Sequence, residues 1–599
     1  MKSRTARRLV PASSERKAAA LKDRARAGEP DCGRLLDLIC LAVIVAAGIA
    51  IYWRSLHGPF LFDDADLFEA RNAVRLQDWH VILTGPRPLL ILSYVLNHRL
   101  WGFDPFYFRV VSLFLHIVNT IILWRIVRLI CDSPGLDGWL NAGARKLIVV
   151  FAPLLFLTTP VQTESVAYIS SRSEVLAATF YLLGLLVFLS SWREKRPWAA
   201  AAAIAILYGC ALGSKQHTVT LPVAILLADY FFLAGGDWRQ LKRNWRTYAV
   251  VGALMLAGGS FVAVEVMNVP SAGFHLKDVT WKSYLLTQFR MYFLYLKLLA
   301  APFGLNADYD IQPSRTIFEH GSWLALAGIL SLAGAAVWLR KRFVLASFGV
   351  LFFFLNLLPT SSFYPLLDYA AERRLYLPCI GFFLAAMALA LEWKKPARAM
   401  AWALSGVVLV YSIGAYSRSL VWSDSLALWL DTAQKSPRKW RVYTWLGFEY
   451  TKRNRFAEAT AAYQKAAELV SHDSTDYAEV LSSLGSTYNN RKMYAEAIQQ
   501  YQTALKISPN IPVLWTNLAL AEIRLNRMDE GWHHLQRAIQ INPLAWEPHL
   551  ARGNLFFQMG RYDDAIKDYQ RVLDLVPGHP DALQNLQAAR TMKRHAAGG

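Results

Sequence analysis

Residues 399–417, AMAWALSGVVLVYSIGAYS, decide how this chain is read, since they form its last apolar run. The run carries no charged residue, and its length is about what one helical crossing of a ~30 Å hydrocarbon core requires. From Arg418 to Gly599 the text turns charged and periodic. The averages over all 599 residues therefore mix two unlike halves: 54% hydrophobic, 18% charged, mean hydropathy +0.24. A soluble domain carries about 25% charged residues, and a positive mean hydropathy over this length demands lipid as the solvent for part of the chain. Disorder, collagen and a disulfide-stapled scaffold are excluded by the same figures. The five cysteines contain no Cys-x-x-Cys pair, so neither a disulfide framework nor a zinc site is expected.

Working back from residue 399, apolar runs lie near 35–53, 107–130, 147–160, 174–192, 198–212, 218–234, 247–267, 322–339, 343–358 and 375–392. With 399–417 they predict about eleven transmembrane helices in an all-α domain over 35–417. The apolar stretch 284–302 is left out, because counting it would place Arg340-Lys341-Arg342 outside the cytoplasm. Residues 1–34 hold ten Lys/Arg against four acids and read as a basic cytoplasmic segment. Eleven crossings from that start put Arg145-Lys146, Arg193 with Lys195 and Arg196, Arg239 to Arg246, Arg340 to Arg342, and Lys394 with Lys395 and Arg398 on the cytoplasmic side. All five short loops thus obey the positive-inside rule. The formal charge of +20 is accordingly an orientation signal and implies no nucleic-acid partner. Residues 418–599 fall outside the cytoplasm.

Those residues repeat. Pro509, Pro543 and Pro577 are spaced by 34; Tyr501, Leu535 and Tyr569 precede them by eight, and Gly485, Ala519 and Gly553 keep the same register. An earlier copy, with Gly447, Ala459, Tyr463 and Ala466, is offset by an insertion at 471–476. Small residues where paired helices touch, aromatics filling the groove and a proline ending the second helix make the tetratricopeptide pattern. About four repeats are expected, with a half repeat at 422–437 and a capping helix from Pro580. The concave face of such a solenoid fits an acceptor protein or peptide; packing or assembly is the plainer use.

The expected topology also sorts the ionisable residues. Just outside the spans lie Asp63-Asp64, Glu164, Arg172, Lys215 and His217, Asp310, and the run Glu372-Arg373-Arg374-Leu375-Tyr376. Ionisable groups at that depth are costly and usually functional. Arg172, Lys215, Arg373 and Arg374 could clamp a lipid-linked phosphate, with Arg suited to bidentate contacts. Asp63 or Asp64 could accept a proton from an attacking hydroxyl. Each has a plainer reading. An Asp pair in a loop is usually a turn or cap, an Arg pair can anchor a span at the headgroups, and His217 with no third ligand makes no metal site.

At these residues the chain resembles the GT-C glycosyltransferases, and more closely the transmembrane and tetratricopeptide-repeat O-mannosyltransferases and their bacterial relatives. The matching text is Phe62-Asp63-Asp64, Arg87-Pro88-Leu89, Asn97-His98, Phe108-Arg109, His116 with Asn119, 160–172, Ser214-Lys215, and 372–378. The resemblance implies a sugar, mannose-like, carried on a polyprenyl phosphate that the basic residues, Glu372 and Tyr376 help to hold. One Asp of the pair would act as base on a Ser or Thr hydroxyl, with inversion. The family commonly has Glu after the lysine; here Gln216 stands there, and position 216 is left out of the site.

Two other functions stay open. The chain could be a non-catalytic repeat scaffold for envelope or polysaccharide-export assembly, or a glycosyltransferase with lipid or glycan acceptors. An acidic pair beside a basic membrane-face cluster favours an enzyme, and the repeats favour a protein acceptor. No cofactor is expected besides the lipid-linked donor, and a metal requirement is left open. The arginine- and alanine-rich text points to a bacterial inner membrane with periplasmic repeats; an endoplasmic reticulum membrane with lumenal repeats has the same topology.

Overall fold

The computed structural model describes residues 30–62, 64, 82, 85, 87–191, 197–267, 273–274, 279–393 and 395–598. Asp63, Arg193, Lys195, Arg196, Lys394 and most of segment 1–34 lie outside the described residues. Within them the fold is all-α, in two compact units. The first holds residues up to Ala307 and Ile311–Asp424; the second holds Ser425–Gly599 and takes in Asp308–Asp310.

Thirteen longer helices build the described part of the first unit: α1 Pro30–Tyr52, α2 Pro88–Trp101, α3 Pro105–Cys131, α4 Ala142–Thr158, α5 Arg172–Ser191, α6 Pro197–Leu212, α7 Leu221–Ala228, α8 Trp245–Met267, α9 Trp281–Ala300, α10 Ser322–Trp338, α11 Val344–Leu357, α12 Pro378–Leu391 and α13 Ala397–Val421. Each apolar run of the sequence lies on a helix. By length and composition, five of the described helical segments are apolar and long enough to cross a membrane, and four more helices are apolar but shorter. A further candidate is bent by 47° where Ala142–Thr158 meets Pro160–Ala167. Pro160 opens the second limb because it has no N–H to offer the preceding turn.

Local chemistry sets the starts of these helices. Asp104 caps α3 by accepting from the Phe106 amide at 2.9 Å, and Asn141 caps α4 by accepting from Ala144 at 2.8 Å. Small residues set the closest packing. Gly349 on α11 and Gly381 on α12 lie so near that a methyl group on either would strike the other's carbonyl oxygen, as tight packing between lipid-embedded helices demands.

Helix α9, the stretch set aside as a crossing, buries Tyr284, Thr287, Gln288, Met291, Tyr292, Tyr295, Leu298 and Leu299, spaced by three and four. Its buried polar groups hold the 360–371 segment. Tyr284 donates to the Thr360 carbonyl at 2.7 Å, Gln288 donates to the Tyr369 carbonyl at 2.9 Å, and the Ala371 amide donates to the Tyr295 hydroxyl at 3.2 Å.

The second unit is a run of antiparallel helix pairs: α14 Ser425–Lys435, α15 Trp440–Lys452, α16 Phe456–Leu469, α17 Thr475–Asn490, α18 Tyr494–Ile507, α19 Pro512–Arg524, α20 Met528–Ile541, α21 Trp546–Gln558, α22 Tyr562–Leu575 and α23 Pro580–Gly598. The 34-residue period has a direct steric cause. A methyl on Gly447, Gly485 or Gly553 would stand 2.7, 2.7 or 2.8 Å from the rings of Tyr463, Tyr501 and Tyr569. Each of these three tyrosines therefore lies against a glycine of the first helix with no room for a methyl, while in the remaining copy Leu535 packs with Ala519.

Candidate functional site

The loops that carry the candidate residues are stitched together within the first unit. Asp64 is fully buried. Its Oδ2 accepts from the Leu61 amide at 3.1 Å, and its Oδ1 accepts from the Ser170 amide at 2.9 Å and the Ser170 hydroxyl at 2.7 Å. Asp64 thus fastens the first loop to the turn ahead of α5. Burial pushes its carboxyl up to about 6, against the opposing pull of the Ser170 and Leu61 hydrogen bonds and Arg109.

Arg109, buried on α3, reinforces the same loop. Its Nε donates to the Ala167 carbonyl at 2.7 Å, and its two terminal nitrogens donate to the carbonyls of Gly58 and Pro59. An arginine five residues into an apolar helix is itself a signal that sequence reading can use.

Arg172 is fully buried at the start of α5. It donates to Asn97 Oδ1 at 3.0 Å, the Phe108 carbonyl at 2.6 Å, Ser93 at 3.4 Å and Ser112 Oγ at 3.4 Å, and its guanidinium lies 4.7 Å from the Tyr94 ring centre. All of its nitrogens are engaged in the interior, so its evident work is to hold α2 and α3 against α5. Tyr376 is equally deep, with its hydroxyl accepting from Asn119 Nδ2 at 3.0 Å and meeting His116 Nδ1 at 2.8 Å.

Two partly exposed cations, Lys215 and Arg373, pair with buried carboxylates. Glu174 Oε1 pairs with Lys215 Nζ at 2.5 Å, and its Oε2 lies 3.5 Å from His217 Nε2. Glu164 Oε1 pairs with Arg373 Nη1 at 2.5 Å, and Arg373 Nη2 reaches Asp368 at 3.3 Å. Electrostatic coupling runs among Glu174, Lys215, Arg87 and Arg373, which joins the two pairs into one cluster. Burial pulls the Lys215 ammonium down to about 8 despite Glu174. Burial also opposes charge on Arg373, but Glu164 and Asp368 outweigh it and hold the guanidinium above its ordinary value. The Arg373 side chain is 27% exposed and that of Lys215 16%, against 3% for Glu164 and 4% for Glu174. The cations therefore face outward from buried carboxylates.

Arg374 turns the other way, donating to the Asp368 carbonyl at 2.6 Å, the Tyr369 carbonyl at 3.2 Å and the Tyr284 hydroxyl at 3.3 Å. Glu372 accepts from the Asn306 amide. Asp310 belongs to the second unit, where its carboxylate pairs with Arg438 at 2.9 Å, while Asp308 pairs with Arg441 and Lys439 at 3.0 Å. Among the described residues no three His, Cys, Asp or Glu side chains are grouped to hold a metal. In the repeat unit, Asn554, Phe557, Gln558, Tyr569, Asn585 and Ala588 line a cleft of about 220 Å³.

Sequence reading left Arg109, Asn97, Ser170, Arg87 and Asp368 without roles. Arg87, Asn97, Arg109 and Ser170 lie in the segments that carried the resemblance, and Asp368 opens the outside loop that runs into Glu372-Arg373-Arg374.

Residues 441–510 and 546–579 match the tetratricopeptide repeat family. Over 624 aligned residues the chain is 23% identical to the Homo sapiens protein named Protein O-mannosyl-transferase TMTC3, covering 92% of this chain and 66% of that one. It is 23% identical to the Drosophila melanogaster protein named Protein O-mannosyl-transferase Tmtc3, covering 88% and 66%. For the Caenorhabditis elegans Protein O-mannosyl-transferase F38B6.6 the figures are 24% identity, 69% and 60%. The chain spans just under two thirds of the length of these relatives.

Proposed function

We propose that this chain, a tetratricopeptide-repeat relative of proteins named as O-mannosyl-transferases, is a multi-pass membrane glycosyltransferase. It moves a mannose-like sugar from a polyprenyl phosphate to Ser or Thr hydroxyls of proteins on the extracytoplasmic face. The observation that carries this reading is the linked cluster of Glu164, Arg373, Glu174 and Lys215, whose cations are partly open while its carboxylates are buried. Such a cluster is preorganised to receive an anion at little cost in reorganisation.

In this reading the donor phosphate rests against Lys215 and Arg373. The acceptor oxygen attacks the anomeric carbon as the bond from that carbon to the phosphate oxygen breaks, and the electron pair leaves with the phosphate. The hydroxyl proton passes to a carboxylate of the Asp63-Asp64 pair, and the configuration inverts. Both oxygens of Asp64 are engaged by Leu61 and Ser170, which favours Asp63 as the base and Asp64 as the residue that positions its loop. Arg172, Arg374, Glu372 and Tyr376 hold the surrounding loops and helices. The repeats present the acceptor. Orientation follows the basic loops: the N-terminus is cytoplasmic, the repeats are periplasmic, and the membrane is a bacterial inner membrane.

Purified protein incubated with radiolabelled polyprenyl-phosphate sugars and a pool of envelope proteins tests this. Labelled protein is expected from the parent and not from folded Asp63→Asn. Label confined to lipid would identify a lipid acceptor, and absence of transfer from every donor would make the chain a scaffold.

A further inference from the structure

The cleft of about 220 Å³ in the repeat unit is walled by Asn554, Phe557 and Gln558 of α21 and by Asn585 and Ala588 of α23, and Tyr569 of α22 completes its lining. Hydrogen bonds fix how its two asparagines are turned. Asn554 Oδ1 accepts from the Tyr569 hydroxyl at 2.8 Å and from Asn585 Nδ2 at 2.9 Å. With both contacts on its oxygen, Asn554 presents its Nδ2 to the cleft as a donor. Asn585 has turned its nitrogen to Asn554 and presents its Oδ1 as an acceptor.

The pair is peculiar to this last junction of the array. One period earlier the same places hold Leu520 and Ala551, and two periods earlier Ser486 and Asn517. Ser486 hydrogen-bonds Tyr501, so a hydroxyl is enough to satisfy the tyrosine of the groove, and the repeat framework does not call for two asparagines. Side by side, one carboxamide offers N–H and the other C=O. That arrangement matches a main chain, because in an extended segment the N–H and C=O of one residue point to the same edge. None of the six lining residues is charged. A charged side chain or a terminal carboxylate placed there would lose water without gaining a counter-ion.

We propose that this cleft binds an extended, uncharged segment of the acceptor protein, with Asn554 donating to the carbonyl and Asn585 accepting from the amide of one residue. This rests on the reading of the acceptor as a protein. Phe557 and Ala588 give the bound residue an apolar wall, which suits Ala, Ser or Thr and disfavours Lys, Asp or Glu. Main-chain pairing supplies affinity without reading a fixed sequence. Acceptors are accordingly selected by a free strand edge and a neutral stretch, and a segment whose backbone is already paired in a helix or sheet is refused.

The test titrates full-length protein in nanodiscs with a short fluorescein-labelled peptide of Ala, Ser and Thr, amidated at its C-terminus, and follows anisotropy. Asn554→Ser keeps a partner for the Tyr569 hydroxyl, as Ser486 does for Tyr501, and Asn585→Ala removes only the acceptor. Each is expected to weaken binding by about tenfold, with the melting temperature at the parent value. A backbone N-methyl group moved along the peptide should cost the parent a similar factor at one position and cost Asn585→Ala nothing more there. A peptide rich in Glu or Lys should bind more weakly, and a free C-terminal carboxylate should add nothing. Parent affinity in both variants, no binding of the neutral peptide by the parent, or a preference for charged peptides would overturn the cleft and leave the transferase reading standing. Binding that depends on both asparagines, in a chain that transfers sugar from no donor, would keep the cleft and overturn that reading.

Discussion

Glu164 and Arg373, 209 positions apart, are joined twice: the Arg373 amide donates to Glu164 Oε2 at 2.9 Å, and its Nη1 donates to Oε1 at 2.5 Å. The side-chain pair alone would fix a charge. The backbone bond also fixes the turn that presents Arg373, so the carboxylate sets both the position and the direction of the cation.

Glu164→Gln keeps the shape and removes the charge, leaving Arg373 with Asp368. The expected loss is about 2–3 kcal/mol of stability, since charge-assisted bonds to a buried partner are involved. A double-mutant cycle with Arg373→Gln, read by denaturation in detergent, should return a clear coupling energy. Strictly additive losses would mean that the two side chains do not act as a pair.

Asp64 gives a pH dependence. Its carboxyl titrates near 6 in the folded chain, against an ordinary value of 3.8, because burial outweighs the bonds from Ser170 and Leu61 and the charge of Arg109. The folded state thus holds this proton more tightly than the unfolded state. The stabilisation is fully present below about 3.8 and is lost as pH rises through about 6, a change of about 3 kcal/mol. The stability gap between the parent and Asp64→Ala should shrink between pH 4 and pH 7. A gap that widens with pH contradicts the assignment.

Gly485→Ala tests the origin of the repeat. The added methyl would stand 2.7 Å from the Tyr501 ring, so the ring must shift or the helices must part. Overpacking of this kind costs about 1–3 kcal/mol. Limited proteolysis of the full chain should cut near α17 and α18 sooner than in the parent. Unchanged cleavage would show that the groove has room to spare.

Orientation is read from basic loops alone, and a reporter fused after Gly599 checks it. An alkaline phosphatase fusion, active only outside the cytoplasm, should be active. A silent phosphatase with an active cytoplasmic reporter at the same position would invert the topology and remove the outer-face site.

The repeats and helices were legible because they are periodic. A 34-residue spacing of Pro509, Pro543 and Pro577 needs no partner to be seen, and neither does an uncharged run such as 399–417. The site was legible only as a set of residue types. Arg172 and Arg373 look alike in sequence, yet one is locked among Ser93, Asn97 and Phe108 while the other is partly open beside Glu164. Those partners lie 64 to 209 positions away, and such pairings follow from tertiary packing, which leaves no periodic mark. Segment 284–302 shows the same limit. Its hydropathy announced an apolar helix, but its hold on the 360–371 segment depends on Tyr284, Gln288 and Tyr295 finding their partners.

The most direct measurement reconstitutes the full chain in vesicles with a synthetic polyprenyl-phosphate mannose and a Ser/Thr-containing peptide, then localises any added hexose by mass spectrometry. The account predicts a hexose on a Ser or Thr oxygen, formed by the parent and lost in Asp63→Asn. A peptide left unmodified while the donor is consumed into lipid or glycan would contradict it.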